Sequence, residues 1–424
     1  MALSAVVAAP RGAVTARVDA LDGLRGWLAV VVATSHAVGV LAPDANRLSS
    51  LLAADFAVRI FFVHSGFVLA LKYFRSHDRR WPEVMLIRRP WRLALPVLAA
   101  ALVGWALMSI CHPLPNRIAA LSGFEMEFSR RILTPASVLR QGLIDPLLLG
   151  RSIIPGAWWT MPVELYCSLA LLAVLVLWGS MPRVVRRTIV TLYVLLVSVV
   201  VLSRRAAPVL VFQSLDGAVR LMVILSVAFV FGALLARLSA SETRPIERFG
   251  SEHRLLAVAG TVLALLVGVA PSILLPVVFQ NHSVLQILHL GCAALVVAAV
   301  LAWSTPKRLL QAPISSWLGR ISFAVYLIHI VVQQTVMAQI LVGLEDLGLS
   351  RPLSSLIALV VSFVVVFALA QVLTMTADRA AIGFGKPYLY RRFGLGAGGT
   401  PVPPPAGSPE LPLNGVTASL PAES

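Results

Sequence analysis

The chain has 424 residues, of which 58% are hydrophobic and 13% are charged, and its mean hydropathy is +0.87. A soluble globular domain is usually about 25% charged, so this composition excludes a large water-soluble domain. The formal net charge of +16 is typical of nucleic-acid-binding proteins, but the positions of the charges favour a different explanation.

Apolar runs of about 18 residues or more, the length needed to cross a bilayer core, recur along the whole chain. We therefore predict an all-α fold, a polytopic transmembrane bundle of about ten helices, uncertain by one. In chain order the predicted spans are residues 26–43, 53–71, 93–111, 158–178, 188–203, 217–236, 255–275, 283–303, 321–342 and 354–376.

The basic residues are distributed unevenly between the two sides of these spans. Of the 35 Lys and Arg residues, 24 fall on the N-terminus, the C-terminus and alternate loops. Because cytoplasmic loops are enriched in Lys and Arg, both termini are predicted to be cytoplasmic, and no nucleic-acid partner is expected. The predicted organisation is an N-terminal segment 1–24, a membrane domain 25–376 and a largely disordered, Pro/Gly/Ser-rich cytoplasmic tail 377–424.

The three cysteines, Cys111, Cys167 and Cys292, are far apart and lie in or beside apolar runs. They predict neither a disulfide framework nor a CxxC metal site. No His/Cys/Asp/Glu group in the sequence has the spacing of metal ligands, so no metal is expected.

The first span begins LDGLRG and ends near His36, with ten uncharged residues between Arg25 and that histidine. Eleven positions correspond to about 16 Å and roughly three full turns of an α-helix, so both side chains are predicted on one helix face. One interior passage could thus be lined by a cation and an imidazole. The alternative is an interhelical histidine and an ordinary positive-inside arginine.

The segment LIRRPWRLALP gathers Arg88, Arg89 and Arg92 before the third predicted span. Guanidinium groups bind phosphate oxygens in a bidentate manner, so a phosphorylated cytosolic ligand could dock there. Simple membrane anchoring of the helix end is the alternative.

Glu164, in GAWWTMPVELY, lies about a turn and a half inside the fourth predicted span. A carboxylate is costly at membrane depth, so Glu164 is expected to pair with a cation or an imidazole, or to take up a proton. A functional role is favoured for it.

Two further histidines lie in apolar runs, where packing roles are at least as plausible as catalytic ones. His64 and Ser65 lie in FFVHSGFVL of the second span, and Tyr326 and His329 in ISFAVYLIHI of the ninth. Tyr326 and His329 are spaced i, i+3, so they occupy neighbouring turns of one helix.

Together, LDGLRG with His36, FFVHSGFVL, RPWR, WWTMPVELY and ISFAVYLIH resemble the motifs of the acyltransferase-3 family over about residues 18–376. These membrane enzymes O-acylate bacterial surface glycans and nodulation factors. The resemblance implies that His36 is catalytic with Arg25 as its companion, that Arg89 and Arg92 bind the donor, acyl-coenzyme A and most simply acetyl-CoA, and that Glu164 belongs to the site. It also implies a bacterial inner-membrane location and a glycan or lipid-linked glycan acceptor.

The sequence departs from the family pattern at several positions. His64 stands where the pattern usually has an apolar residue, and Cys167 and Ser168 replace a common aromatic pair. These departures bear on the identity of the acceptor more than on acyl transfer.

In the expected mechanism, His36 takes a proton from an acceptor hydroxyl while Glu164 orients the imidazole and Tyr326 or His329 stabilises the oxyanion. Transfer through an acyl-enzyme intermediate is an open alternative. A proton-coupled transporter or flippase would also carry buried ionisable groups, but the sequence has no internal repeat of the kind common in transporters. The sequence does not predict the oligomeric state.

Overall fold

The computed structural model describes residues 11–41, 52–76, 78, 80–111, 134–154, 156–202, 215–243, 245–274 and 283–392. All regular secondary structure in these ranges is helical, and none of the described residues forms a strand. The predicted all-α fold is confirmed.

The first half of the chain forms α1 (Arg11–Leu41), α2 (Ala54–Ser76), α3 (Arg80–Ile110), α4 (Pro135–Leu143), α5 (Met161–Trp178), α6 (Arg183–Leu202) and α7 (Leu215–Ala240). The second half forms α8 (Pro245–Glu252), α9 (Arg254–Leu274), α10 (Ser283–Ala302), α11 (Ser304–Leu310), α12 (Pro313–Val332), α13 (Ala338–Asp346), α14 (Arg351–Leu373) and α15 (Arg379–Gly383). Two π-helical turns, Gln333–Met337 and Thr374–Asp378, continue α12 and α14.

Nine helices within the described ranges are long and apolar enough to cross a membrane. The helices α8 and α9 are bent by 105° at a short break, and they make ten spans if this pair is one. The predicted number of spans is thus confirmed, and the chain is a multi-pass membrane protein.

Glycines allow the closest helix contacts in the bundle. A Cβ atom at Gly26 of α1 would collide with the backbone of Gly319 in α12, and one at Gly66 of α2 with the backbone of Phe229 in α7. Small residues let helix backbones approach in membranes. Gly26 of LDGLRG therefore allows α1 to approach α12 closely, and these two helices carry four of the nine predicted site residues.

The third span differs from the prediction. It was expected over residues 93–111, after the arginine group, but α3 begins thirteen residues earlier, at Arg80. Hydropathy excluded the arginines from the span, whereas in the structure Arg88 and Arg89 are buried inside one continuous helix, in its first third. The hydrogen bonds and the ion pair of these arginines, described below, explain why they are tolerated inside the helix.

The chain divides into two compact units, Met1–Phe384 and Gly385–Ser424. In the second unit the structure describes one short helix, α16 (Lys386–Arg392). The remainder of the predicted tail, 393–424, and the first ten residues of the predicted N-terminal segment lie outside the described residues.

Candidate active site

A cavity of about 220 Å³ lies among α1, α2, α3, α5 and α12, and we call it the arginine cavity. Its charged lining residues are Arg25, Arg89, Arg92, Arg320, Glu164 and Asp378. His64, Ser65 and Tyr326 also line it. The structure thus brings seven of the nine predicted site residues to one cavity, while His36 and His329 lie elsewhere.

Glu164 and Arg89 form a buried ion pair at the wall of the arginine cavity. Arg89 Nη2 donates to Glu164 Oε1, and Arg89 Nε donates to Ser168 Oγ at 3.0 Å. The expectation that Glu164 orients His36 is therefore wrong for this structure, since the partner of Glu164 is a guanidinium. The pair also explains how Arg89 is accommodated deep in α3, because an isolated charge there would be costly.

Arg25 is held where α1 meets α12. Its Nη2 donates to the carbonyl oxygen of Gly319 at 3.0 Å and lies 3.4 Å from Asp22 Oδ1. Its Nε is buried without a hydrogen-bond partner. Arg25 thus retains a buried donor that a ligand can satisfy.

Arg92 and Arg320 complete the positive lining of the arginine cavity. No hydrogen bond ties either guanidinium group to another residue in the described part of the chain, although Asp378 acts electrostatically on Arg92. Arg88 behaves differently, because its Nη2 donates to the carbonyl oxygen of Ile382 and it does not line the cavity. Four guanidinium groups and two carboxylates therefore line one space that carries a net positive charge.

His64 and Ser65 lie in the arginine cavity rather than beside His36. His64 is 5% exposed, and its Nε2 is 3.8 Å from Asp22 Oδ1 without a hydrogen bond. These two residues of α2 therefore line the arginine cavity, whereas His36, the imidazole predicted to be catalytic, lines the histidine cavity described next.

A second cavity, of about 140 Å³, lies at the other end of the α1–α12 pair, and we call it the histidine cavity. It is lined by His36, Val40, Gly156, Ala157, Trp159, Ile330, Gln333 and Gln334. None of these residues is formally charged apart from His36 when protonated. The prediction that Arg25 and His36 share a helix face is consistent with their contacts, since both side chains bond to α12.

His36 and His329 form a hydrogen-bonded pair across the α1–α12 interface. His36 Nδ1 is 3.1 Å from His329 Nε2 and 3.0 Å from the carbonyl oxygen of Val32, and His329 Nδ1 is 3.1 Å from that of Val325. A carbonyl oxygen only accepts, so the neutral His329 carries its hydrogen on Nδ1 and its lone pair on Nε2.

The same reasoning fixes the tautomer of neutral His36. Its Nδ1–H donates to both His329 Nε2 and the Val32 carbonyl oxygen, which leaves the lone pair on Nε2. A histidine with an oriented Nδ1–H and an unprotonated Nε2 has the form of a general base. His329, which is fully buried, therefore supplies the orienting contact that had been expected from Glu164.

Hydrogen bonds connect the wall of the arginine cavity to the wall of the histidine cavity. The Tyr326 hydroxyl of the arginine cavity donates to the carbonyl oxygen of Ala157 in the histidine cavity at 3.0 Å, and Thr160 Oγ1 lies 2.9 Å from the same hydroxyl. We call Tyr326, Thr160 and Ala157 the partition. Since these bonds occupy the Tyr326 hydroxyl, it is not free to stabilise an oxyanion in this arrangement.

The two tryptophans of WWTMPVELY have different roles. Trp158 is fully buried, and its Nε1 donates to the carbonyl oxygen of Leu327 at 2.8 Å, which fixes the segment to α12. Trp159 is half-buried and lines the histidine cavity. One ring is a structural anchor and the other is available to a ligand.

The sequence profile of the family described as "Acyltransferase domain", Acyl_transf_3, matches residues 18–375. The chain belongs to the acyltransferase-3 family. Comparisons with curated proteins and with solved structures find no match. As a member of this family the protein is a membrane acyltransferase, and both cavities lie within the matched region, apart from Asp378 just beyond it.

Sequence reasoning about this acyltransferase missed several residues of the two cavities. Arg320 and Asp378 line the arginine cavity, and Gln333 and Gln334 line the histidine cavity. The consecutive glutamines in the otherwise apolar run IVVQQTV were a usable signal, because polar groups at membrane depth usually face a protein interior. No group of three potential metal ligands occurs among the described residues.

Proposed function

We propose that the protein transfers an acyl group, most simply acetyl, from cytosolic acyl-coenzyme A to a hydroxyl group of an extracytoplasmic or lipid-linked carbohydrate. The observation that carries this proposal is the presence, in one helical bundle, of a positively charged cavity and an uncharged cavity that contains a tautomerically fixed histidine. On this proposal the arginine cavity faces the cytoplasm and the histidine cavity faces outward, in the inner membrane of a bacterium.

The arginine cavity has the chemistry that a coenzyme A phosphate group requires. Hydrogen-bond donors are supplied there by Arg92, Arg320 and the unpartnered Nε of Arg25. Guanidinium groups match phosphate oxygens in charge and shape. Arg89 is already bonded to Glu164 and Ser168, so its main task is to hold the cavity wall. The donor role that the family resemblance implied for Arg89 and Arg92 is therefore proposed here for Arg92, Arg320 and Arg25.

His36 would act as the base in the histidine cavity. The hydroxyl of the acceptor donates its proton to His36 Nε2, and its oxygen forms a bond to the thioester carbonyl carbon. The carbon–sulfur bond then breaks, and the leaving thiolate takes the proton from the imidazolium, so that ester and free coenzyme A are the products. The imidazolium formed on the way is stabilised by the Val32 carbonyl oxygen and by His329 Nε2.

The thioester has to reach His36 through the partition. Coenzyme A itself is far larger than the histidine cavity of about 140 Å³, so only its acyl end is expected to pass Tyr326 and Thr160. This requires the Tyr326–Ala157 hydrogen bond to open when the donor is bound. An acetyl group is among the smallest acyl groups and requires only a small opening.

The test measures label transfer in membrane vesicles from the native host that contain either the wild-type protein or His36→Ala. Acetyl-CoA labelled in the acetyl group is supplied on the cytoplasmic side, and alkali-labile label is counted in the glycan and lipid fractions. The wild type should incorporate label, and His36→Ala should lose about 10²–10⁴-fold, the contribution typical of a general base.

His289→Gln is the matched control, because His289 is another buried histidine of the membrane region, bonded to the carbonyl oxygen of Gly268 and lining neither cavity. It should keep wild-type transfer, and gel filtration and thermal unfolding establish that each variant is folded. A folded His36→Ala protein with a normal rate contradicts the proposal. So does a wild-type protein that moves a solute across liposomes and consumes no thioester, which is the result for a transporter.

A further inference from the structure

Gln333 has a buried amide oxygen without a partner beside the histidine cavity. The residue is 1% exposed and lines that cavity, and its Oε1 makes no hydrogen bond. A buried polar atom left unsatisfied lowers stability, so a native structure that retains one calls for an explanation. A ligand group that donates a hydrogen bond to Oε1 would provide it.

The orientation of the Gln333 amide is fixed by its other end. Nε2 donates to the carbonyl oxygen of Ala33 at 2.8 Å, and a flipped amide would place two oxygens against each other. Oε1 is therefore the free end. Ala33 lies one turn before His36 on α1, so the amide and the imidazole belong to the same end of that helix.

The backbone at Gln333 is also unusual. Gln333 begins the π-helical turn Gln333–Met337, and such turns within α-helices occur frequently at functional sites. The turn follows directly on α12, which carries His329. The deviation from α-helical geometry therefore coincides with the point where the helix reaches the cavity.

Two hydrogen-bond acceptors with no assigned donor thus belong to one small cavity, Nε2 of His36 and Oε1 of Gln333. A cavity of about 150 Å³ takes one ring of benzene size, and the histidine cavity has about 140 Å³. A ring of this size with two hydroxyl donors could satisfy both acceptors. The half-buried Trp159 adds an aromatic face to the same cavity.

We propose that Gln333 binds the acceptor, and that the histidine cavity selects a vicinal diol on a six-membered ring, with one hydroxyl donating to His36 Nε2 and its neighbour to Gln333 Oε1. This inference rests on the proposed function, because it assigns the acceptor of that reaction. Gln333 is a substrate-binding residue here, and the hydroxyl bonded to His36 is the one acylated.

The experiment uses the purified full-length protein in lipid nanodiscs with acetyl-CoA and three acceptors: trans-1,2-cyclohexanediol, cyclohexanol and water. Release of free coenzyme A is followed with a thiol reagent, and the ester is identified by mass spectrometry. The diol and the alcohol differ by one hydroxyl group. The wild type should use the diol with a kcat/KM about tenfold above that for cyclohexanol, the effect expected of one hydrogen bond.

Gln333→Met has a similar size and lacks both amide groups. It should lower the kcat/KM for the diol more than that for cyclohexanol, so that the two values become equal. The KM for acetyl-CoA should not change.

Two control variants separate acceptor binding from packing. Thr335→Val removes a buried hydroxyl of the same π-helical turn that donates to the carbonyl oxygen of Val331, and Gln371→Met removes a glutamine whose Oε1 already accepts from Trp317 Nε1. Both should retain the diol preference.

The outcomes that overturn the inference are distinct from the failure of the proposed function. Equal use of diol and alcohol by the wild type, a preserved diol preference in Gln333→Met, or an equal loss of turnover with all three acceptors each overturns the role of Gln333. A wild-type protein that releases no coenzyme A with any acceptor contradicts acyl transfer from coenzyme A itself.

Discussion

The helices α1 and α12 contribute to both cavities, yet the two cavities differ in electrostatic character. In the arginine cavity four guanidinium groups and two carboxylates line one space, whereas the histidine cavity contains one imidazole, two glutamines and apolar or aromatic groups. Charges are useful where a charged ligand must be held, and a water-poor, uncharged space strengthens the few polar contacts around a reacting group. On the proposed function, this difference places binding of the donor in the arginine cavity and chemistry on the acceptor in the histidine cavity.

The division follows from how α1 and α12 cross the bundle. α1 contributes Arg25 to one cavity and His36 to the other, and α12 contributes Arg320 to the first and His329 beside the second. The glycine contact between Gly26 and Gly319 keeps the two helices together at the arginine end. A change on either helix can therefore be assigned to one cavity, which makes the comparison testable.

The largest expected effect concerns the wall of the arginine cavity. In Glu164→Met the buried guanidinium of Arg89 loses its counterion, and we expect the free energy of unfolding to fall by about 3–5 kcal/mol. Chemical unfolding in detergent measures this change. The double variant Arg89→Met/Glu164→Met should regain most of the loss, because replacing both partners of a buried pair is often neutral.

Glu252→Met is the matched control for that pair, since Glu252 bonds to Arg248 on the exposed surface. An exposed ion pair contributes at most about 1 kcal/mol, so this variant should unfold nearly like the wild type. Equal stability losses in Glu164→Met and Glu252→Met would contradict a special role for the buried pair.

The next effect concerns the orientation of His36 in the histidine cavity. His329→Asn removes the acceptor for the Nδ1–H of His36. Loss of the group that fixes the tautomer in a serine-protease triad costs about 10⁴-fold in kcat, but here the Val32 carbonyl oxygen still holds that N–H. We therefore expect kcat to fall by about 10²-fold while the KM for acetyl-CoA stays unchanged, as steady-state kinetics would measure. An increase in that KM with unchanged kcat would contradict this role and would indicate that His329 contributes to binding of the donor.

The smallest effect tests donor binding in the arginine cavity. Arg92→Gln and Arg320→Gln should each raise the KM for acetyl-CoA about tenfold, because each removes a charged contact to a phosphate group. Neither should change the KM for acetyl-pantetheine, which lacks the nucleotide phosphates. Arg88→Gln, at a guanidinium outside the cavity, serves as the control, and a matching rise there would argue against a specific phosphate site.

The sequence predicted the parts of the site that depend on regularity within one helix. The spacing of Arg25 and His36 determines a common face, and charge and hydropathy determine the number of spans. The partner of Glu164 was beyond such reasoning, because it depends on how far α3 extends. A hydropathy pattern ends the helix before the arginines, whereas tertiary pairing allows Arg89 to lie inside it.

The roles of Gln333 and His329 could not be predicted from the sequence, because they follow from contacts between helices. Periodicity shows that a polar residue lies in a span, but it does not show whether an imidazole donates, accepts or has no partner. That information came from the distances that join His36, His329 and the carbonyl oxygens of Val32 and Val325. Tautomers are decided by such neighbours.

The partition of Tyr326, Thr160 and Ala157 also has a consequence for the ion gradient across the membrane. If water connected the two cavities along the α1–α12 pair, ions could cross the membrane and dissipate the proton-motive force. Hydrogen bonds join the two walls, and the fully buried Trp158 is next to Ala157 in the chain. On the proposed function, the acyl group would pass from one cavity to the other without a continuous water path for ions.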